Sequence, residues 1–341
     1  MNNSIYVLHE YGAPSHFTAL VCFAENNGYN VKFGEFGIMR QICHTRRRLI
    51  HNIIFLLKLR FSSNRKVVLS LAPYNESLPQ LMNLLKRHEV YFFISYTCWD
   101  GSRSVYPIKD VAILQKWKEF TGSYVKHIFV VSQKTKREMV INNFSTENRI
   151  SVVNHSYKIR IAPKYNKEKT NTFIVVGEIA PRKGTIELLD IFKQYPNAEI
   201  TFVGRGVNQF DVIKASVNYK NIHYVGYVKG LKNLLPYYYG NCFLILNSHR
   251  INGWEEFFGI ALIEGMACGC VPITTNHTGP MEIIHDTIDG FIYEEGEIDK
   301  GVKECLEMSN ERYKAMRESA INTGRSYYCE NKAPSWSKIL E

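Results

Sequence analysis

Two carboxylates, Glu256 and Glu264, bracket the run Phe257 to Ile263, in which every residue is apolar or glycine. Eight residues advance a continuous helix by about two turns, which would set both carboxylates on one face roughly 12 Å apart. The expected arrangement instead puts Glu256 in the loop before the helix and Glu264 within it; either way both reach one elongated ligand. Gly265-Met266-Ala267-Cys268-Gly269 reads as a helix end closed by glycine. Val271 to Thr275 reads as a short buried strand, with Pro272 near an edge or a strand start. Thr278-Gly279-Pro280 reads as a turn, and Glu282 as the opening of the next helix. Loop, helix, strand, loop and helix in that order build a nucleotide site at the end of a parallel sheet.

A second group of chemistry-bearing residues comes earlier. Phe173 to Gly177 reads as a buried strand, followed by Glu178-Ile179-Ala180-Pro181-Arg182-Lys183-Gly184 and a helix from Thr185. Cations beside the free N–H groups of a helix N-terminus make an anion site. A solvated basic turn is the plain alternative.

With Phe258-Gly259 between its two acids and Gly265 to Gly269 behind them, the stretch Glu256 to Glu264 resembles the glycosyltransferase group 1 signature of the retaining GT-B enzymes, family 4. The resemblance is specific over residues 173–293 and architectural before them. It implies an α/β GT-B fold: two Rossmann-like, doubly wound domains facing a central cleft, with a C-terminal helix crossing back to the first. The boundaries read as 1–156 for an acceptor-binding domain, 157–170 for a linker, 171–320 for a nucleotide-sugar domain and 321–341 for the crossover helix.

The family carries an arginine where Glu178 stands, so the resemblance implies that Lys183 and Arg182 supply the positive charge for the donor diphosphate. It gives Glu256 the hydroxyls of the donor sugar, beside the backbone of Phe257, Phe258 and Gly259, and gives Glu264 the ribose hydroxyls. Gly177, Gly204 and Arg205 fall in strand-to-helix loops of the donor side, and Gly226 and Tyr227 against the base. In the first domain, Gly12 lies in the loop that faces the diphosphate. Asp100 remains from a family turn in which Trp99 replaces the histidine of the reacting centre. Asp100 then hydrogen-bonds a sugar hydroxyl or an acceptor, and Trp99 stacks on a sugar face, or both simply build the turn. His16 is read equally as a helix-end or core histidine and as a group of the acceptor side.

The remaining composition fits two ordinary domains in 341 residues, 45% hydrophobic and 22% charged. No apolar run reaches the roughly 18 residues of a membrane span, and no cationic leader precedes the first strand-like run. The eight cysteines are scattered and lack a metal-ligand spacing, which reads as reduced core residues of a cytoplasmic protein. No Asp-x-Asp motif is present, and no metal or other cofactor is expected. Charge is lopsided. Residues 1–155 carry 20 Lys and Arg against 10 Asp and Glu, whereas residues 156–341 balance at 22 each. From Phe36 to Asn75 there is no acid, and Arg46, Arg47 and Arg48 open an apolar run ending in Lys58 and Arg60. That composition suits a helix lying on an anionic membrane surface, or a buried helix with solvated arginines. Nucleic acid is not expected, because no recognition motif accompanies the basic residues.

The function expected from this reading is transfer of a sugar from a nucleotide diphosphate sugar to a hydroxyl of a glycan or lipid-linked acceptor, with retention, in surface polysaccharide or glycolipid synthesis. The alternatives on the same fold are a nucleotide-sugar epimerase or phosphorylase, and a non-catalytic scaffold for an anionic partner.

Overall fold

The computed structural model describes residues 3–10, 14–37, 46–97, 99, 111–162, 167–251 and 254–341. Two compact units account for the chain: unit 1 is Met1–Lys158 with Cys329–Glu341, and unit 2 is Ile159–Tyr328. Gly12 and Asp100 lie outside the described residues.

Unit 1 is built on six strands: β1 (Ser4–His9), β2 (Asn30–Glu35), β3 (Lys66–Ser70), β4 (Glu89–Ile94), β5 (His127–Val130) and β6 (Ile150–Val152). They pair in the order β2-β1-β3-β4-β5-β6, all in parallel. A parallel sheet covered on both faces needs nearly continuous apolar strands. The sequences SIYVLH and EVYFFI meet that need and are buried along almost their whole length. Alternation along β4 then divides the core in two. Phe92 faces Trp99, Trp117 and Phe120, while Phe93 faces Trp336 and Phe17. Trp336 sits in the C-terminal segment Ala333–Ile339 and also packs on Phe129, 4.4 Å between ring centroids.

Unit 2 repeats the plan with β7 (Thr172–Glu178), β8 (Glu199–Arg205), β9 (Ile222–Gly226), β10 (Phe243–Leu246), β11 (Val271–Thr275) and β12 (Phe291–Tyr293). Their order is β12-β11-β10-β7-β8-β9, again parallel. From β7 the chain builds outward through β8 and β9, then returns to the other side of β7 to place β10. The sheet therefore reverses direction between β7 and β10, and such a reversal opens a crevice beyond the carboxyl ends of the two strands.

Local expectations fare unevenly. Ile260–Cys268 is a helix closed by Gly269 in the left-handed region, φ 91°, with the buried Arg317 guanidinium donating to the Gly269 carbonyl. Pro272 is the second residue of β11, and β12 begins its pairing only at Ile273, so the missing N–H falls at a strand start. Thr278-Gly279-Pro280 is not a free turn but the first turn of the helix Thr278–Ile283, which contains Glu282. Proline is tolerated there because first-turn N–H groups have no intrahelical partner. The six described cysteines are buried and free.

Unit 1 also encloses four histidines, His16 only partly, whose rings it keeps neutral. Burial holds His9 near 3, with His16 adding repulsion; it holds His16 and His127 near 4, and His155 well below its ordinary value. The unfolded chain takes up these protons near pH 6.5 and the folded one does not, so stability is complete above 6.5 and is lost as pH falls toward 4. Three of the four tryptophans, Trp99, Trp117 and Trp336, lie buried in unit 1, so intrinsic fluorescence follows this unit. The urea midpoint read by fluorescence should be clearly lower at pH 5 than at pH 7.5; equal midpoints would mean that the histidines are solvated when folded.

Candidate functional site

The strand reversal in unit 2 brings together residues that are distant in sequence. Lys183 ends the short 3-10 turn Pro181–Lys183 after β7, and Ser248 follows β10. The Lys183 ammonium pairs with the Glu256 carboxylate, and their side chains are only 16% and 14% exposed. Ser248 Oγ donates to Glu256 Oε2 at 3.1 Å and lies 3.4 Å from Lys183 Nζ. A largely buried charge is costly unless it is paired and hydrogen-bonded, and here each member of the pair also meets the serine hydroxyl.

Glycine allows this approach. Gly184 has φ 59° and begins the helix Thr185–Gln194; a Cβ there would lie 2.2 Å from Asn247 Nδ2. The Asn247 amide in turn donates to Glu187 at 2.8 Å, and the His249 backbone N–H donates to the Arg182 carbonyl at 3.0 Å. The loops after β7 and β10 are thus stitched together directly at the reversal. On the far side, Gly279 stands against the backbone of Phe258, where a Cβ would lie 2.2 Å away, and its N–H donates to the Glu256 carbonyl at 2.9 Å.

Arg182 is placed differently from Lys183. It pairs with Glu178 at 2.5 Å, both about two-fifths exposed, and its guanidinium stacks over Trp254 at 4.6 Å. Lys183 shares the same ring at 4.9 Å. The glutamate standing where an arginine was expected therefore engages Arg182, and a further anion must compete with it.

The other expected donor-side residues fall into three sets. Gly177 and Gly204 are partners at the carboxyl ends of β7 and β8. Arg205 stacks on the exposed Tyr227 ring at 4.7 Å, just past Gly226 at the end of β9. Phe257 and Gly259 lie in the loop after Glu256, while Phe258 is buried against Tyr327. Glu264 lies within the helix Ile260–Cys268, as expected, and accepts a hydrogen bond from Tyr238 Oη at 3.1 Å. Burial pushes its carboxyl up to about 7, against the lowering by the tyrosine hydroxyl.

In unit 1, Trp99 does not present a face for stacking. It is fully buried, its indole N–H donates to the Tyr96 carbonyl at 2.9 Å, and Phe92, Trp117 and Phe144 surround the ring. It is a core residue. Arg48 is likewise committed within the unit, bridging to Glu35 on β2 with Nε 2.9 Å from the carboxylate, whereas Arg46 and Arg47 are exposed. His16 is partly buried and lies 4.4 Å from His155 and 6.2 Å from His9 between ring centroids.

Sequence reasoning missed Ser248, Trp254 and His277. His277 is fully buried; its Nδ1 accepts from the Glu256 N–H at 3.0 Å and its Nε2 lies 2.8 Å from the Ser248 carbonyl. The available signal was position: each polar residue follows a strand of the C-terminal half. Among the described residues no group of three or more His, Cys, Asp or Glu is arranged to hold a metal ion.

Comparison with known proteins finds similarity to glycosyltransferases. The chain is 25% identical over 239 residues to the capsular polysaccharide biosynthesis glycosyltransferase CapM of Staphylococcus aureus, covering 62% of this chain and 60% of that protein. It is 26% identical over 214 residues to the uncharacterized glycosyltransferase MJ1178 of Methanocaldococcus jannaschii, covering 62% of this chain and 56% of that one. The matches thus span under two thirds of each relative. The structure of Anabaena HepE, solved in complex with UDP, superposes with a TM-score of 0.71 over 99% of both chains at 13% identity. That likeness is one of fold, the two-sheet α/β architecture of GT-B glycosyltransferases. The family model "Glycosyl transferases group 1" matches residues 158–326, nearly half of the chain.

Proposed function

We propose that the protein moves a sugar from a nucleotide diphosphate sugar to a hydroxyl of a glycan or lipid-linked acceptor, with retention at the anomeric carbon, as a family 4 enzyme that needs no metal ion. The observation that carries this reading is the Lys183–Ser248–Glu256 cluster, set at the strand reversal of a domain that matches the group 1 glycosyl transferases.

In this reading the donor diphosphate takes up the Lys183 ammonium, and Glu256 turns to the hydroxyls of the sugar. Negative charge then builds on the leaving phosphate oxygen as the anomeric bond breaks. An ammonium already fixed in a site of reduced dielectric stabilises that charge without reorganisation. The acceptor hydroxyl attacks on the face the phosphate leaves: one C–O bond breaks, another forms, and the acceptor proton passes to the leaving phosphate oxygen. Arg182 adds charge to the extent that the phosphate outcompetes Glu178. Glu264 accepts from the ribose hydroxyls.

We further assign the outer face of the helix Arg46–Arg60 to an anionic membrane surface that presents the acceptor. Asn52, Phe55 and Leu59 are its buried side. Opposite them Ile50, Ile53, Ile54 and Leu57 are each close to half exposed, and Phe61 just beyond is 80% exposed. Arg46, Arg47, Lys58 and Arg60 flank this stripe, with no acid between Phe36 and Asn75. Apolar area with flanking cations is the chemistry of interfacial binding. Among the described residues no helix is long and apolar enough to cross a membrane.

Incubation with a panel of UDP-, GDP-, ADP- and dTDP-linked sugars in EDTA, with release of nucleotide as the readout, should reveal one cleaved donor. Lys183→Ala should lower kcat/KM on that donor by about 100- to 1,000-fold. Nucleotide binding with no turnover in the presence of acceptor extracts would instead favour a scaffold. Because the Glu264 carboxyl titrates near 7, nucleotide affinity measured by calorimetry should rise between pH 6 and 8 and lose that slope in Glu264→Gln. Sedimentation with phosphatidylglycerol vesicles should fall at least about tenfold for the Arg46→Ala, Arg47→Ala double variant, at roughly 1 kcal/mol per cation; equal sedimentation removes the membrane from the reading.

A further inference from the structure

We propose that His277 is a positioning residue for the transfer reaction: its neutral imidazole clasps the Ser248 and Glu256 loops together and so sets where the Glu256 carboxylate points. The inference rests on the reading of Glu256 as the group that holds the donor sugar.

The geometry fixes the chemistry of the ring. A backbone N–H can only donate, so Nδ1 of His277, 3.0 Å from the Glu256 nitrogen, must be the acceptor. A carbonyl can only accept, so Nε2, 2.8 Å from the Ser248 oxygen, must carry the proton. The Glu295 carboxylate, 3.2 Å from Nε2, faces the same proton. One tautomer of one charge state satisfies every contact, and a second proton on Nδ1 would point at the Glu256 N–H.

Everything around the ring supports a clasp. Thr275 Oγ1 donates to the same Ser248 carbonyl at 2.7 Å, and Gly279 N–H donates to the Glu256 carbonyl at 2.9 Å. The segment Thr275–Gly279 therefore holds the backbone of Ser248 on one side and of Glu256 on the other. The reward lies between the held residues, where Ser248 Oγ meets Glu256 Oε2 and both meet Lys183. The charged groups facing the ring are Arg250, Glu255 and Glu295. Burial and Arg250 lower its pKa below the ordinary histidine value, against the pull of the two carboxylates, which keeps the accepting nitrogen free at neutral pH.

His277 touches neither the ammonium nor the carboxylate of the central pair, so its loss should misplace Glu256 rather than empty the site. A displacement of about 1 Å at a group that holds the reacting sugar costs on the order of 100-fold in rate.

Three variants separate positioning from bulk stability. His277→Leu removes both polar contacts. His277→Asn restores an acceptor near Nδ1, and His277→Gln restores a donor near Nε2. On the donor found by the panel, His277→Leu should lower kcat by about 10- to 100-fold while the Kd for the corresponding nucleoside diphosphate stays within about threefold. His277→Asn should recover most of kcat, and more than His277→Gln does, even where both melt at the same temperature. Nitrogen NMR of histidine-labelled protein, with the His277→Asn spectrum as assignment, should show Nδ1 unprotonated and Nε2 protonated at pH 7.5. An unchanged kcat in His277→Leu overturns the proposal. So does a loss of kcat and nucleotide affinity in step across all three variants, which marks a merely structural ring, and so does a protonated Nδ1. Absence of turnover in the unaltered protein would defeat the transferase reading instead, and the tautomer measurement would still decide whether the clasp exists.

Discussion

The ion pair between Lys183 and Glu256 is the interaction on which the proposed chemistry of unit 2 depends. Two charges withdrawn from water cost several kcal/mol each, and their attraction repays this only when the remaining hydrogen-bonding capacity is met. Here Ser248 meets part of it, and the Trp254 ring lies against the ammonium. Apolar residues of the same size would be cheaper at this position. A pair held so near break-even is poorly justified by stability and well suited to exchange, because a phosphate can replace the carboxylate as the partner of the lysine and sugar hydroxyls can replace the lysine as partners of the carboxylate. In the proposed reaction such an exchange would keep both charges compensated throughout.

Topology makes that pair possible. Lys183 and Glu256 are separated by three strands in sequence, yet the reversal between β7 and β10 sets the loops that carry them side by side. The loops then have to approach at backbone distance, which is why Gly184 and Gly279 stand where a Cβ would collide with Asn247 and with the Phe258 backbone. Positioning by backbone contact is stiffer than positioning by side chains, since it involves no rotamers. The Glu178–Arg182 bridge beside it is more solvated, about two-fifths exposed on each side, and Arg182 also stacks on Trp254.

The legible part of this site was the part written in short-range spacing. Gly269 closing a helix, Lys183-Gly184 before another, and Glu264 inside a helix with Glu256 ahead of it all follow from residues within a turn or two of one another. Ser248 and His277 were not legible, because what makes them matter lies 8 and 21 residues away and is created by the sheet order. For Trp99, left open between stacking on a sugar and building the turn, the stacking alternative failed for the same reason. Its sequence neighbours Thr97 and Asp100 suggest a polar turn, but the residues that bury it, Trp117 and Phe144, arrive from later helices and loops. Burial is a property of the assembled core, and local polarity is a weak guide to it. The fold class was more accessible, since continuous apolar runs alternating with amphipathic segments admit few architectures other than doubly wound parallel sheets.

The helix Arg46–Arg60 shows how a sequence pattern and its exposure can invert. Composition alone favoured an apolar face turned inward with arginines in water. The folded unit instead buries Asn52 between two apolar anchors, Phe55 and Leu59, and turns four branched aliphatic side chains outward. Asn52 is held there because its Oδ1 accepts the Glu35 N–H at 3.2 Å, and the Arg48 bridge to the same Glu35 locks the helix against β2. Rotating the helix to bury the isoleucines would break both contacts and leave the Glu35 N–H without its acceptor. The outward apolar stripe is therefore fixed by polar contacts on the inner side, not left over from poor packing, and exposed apolar area that a fold enforces in this way is the kind that a partner surface covers.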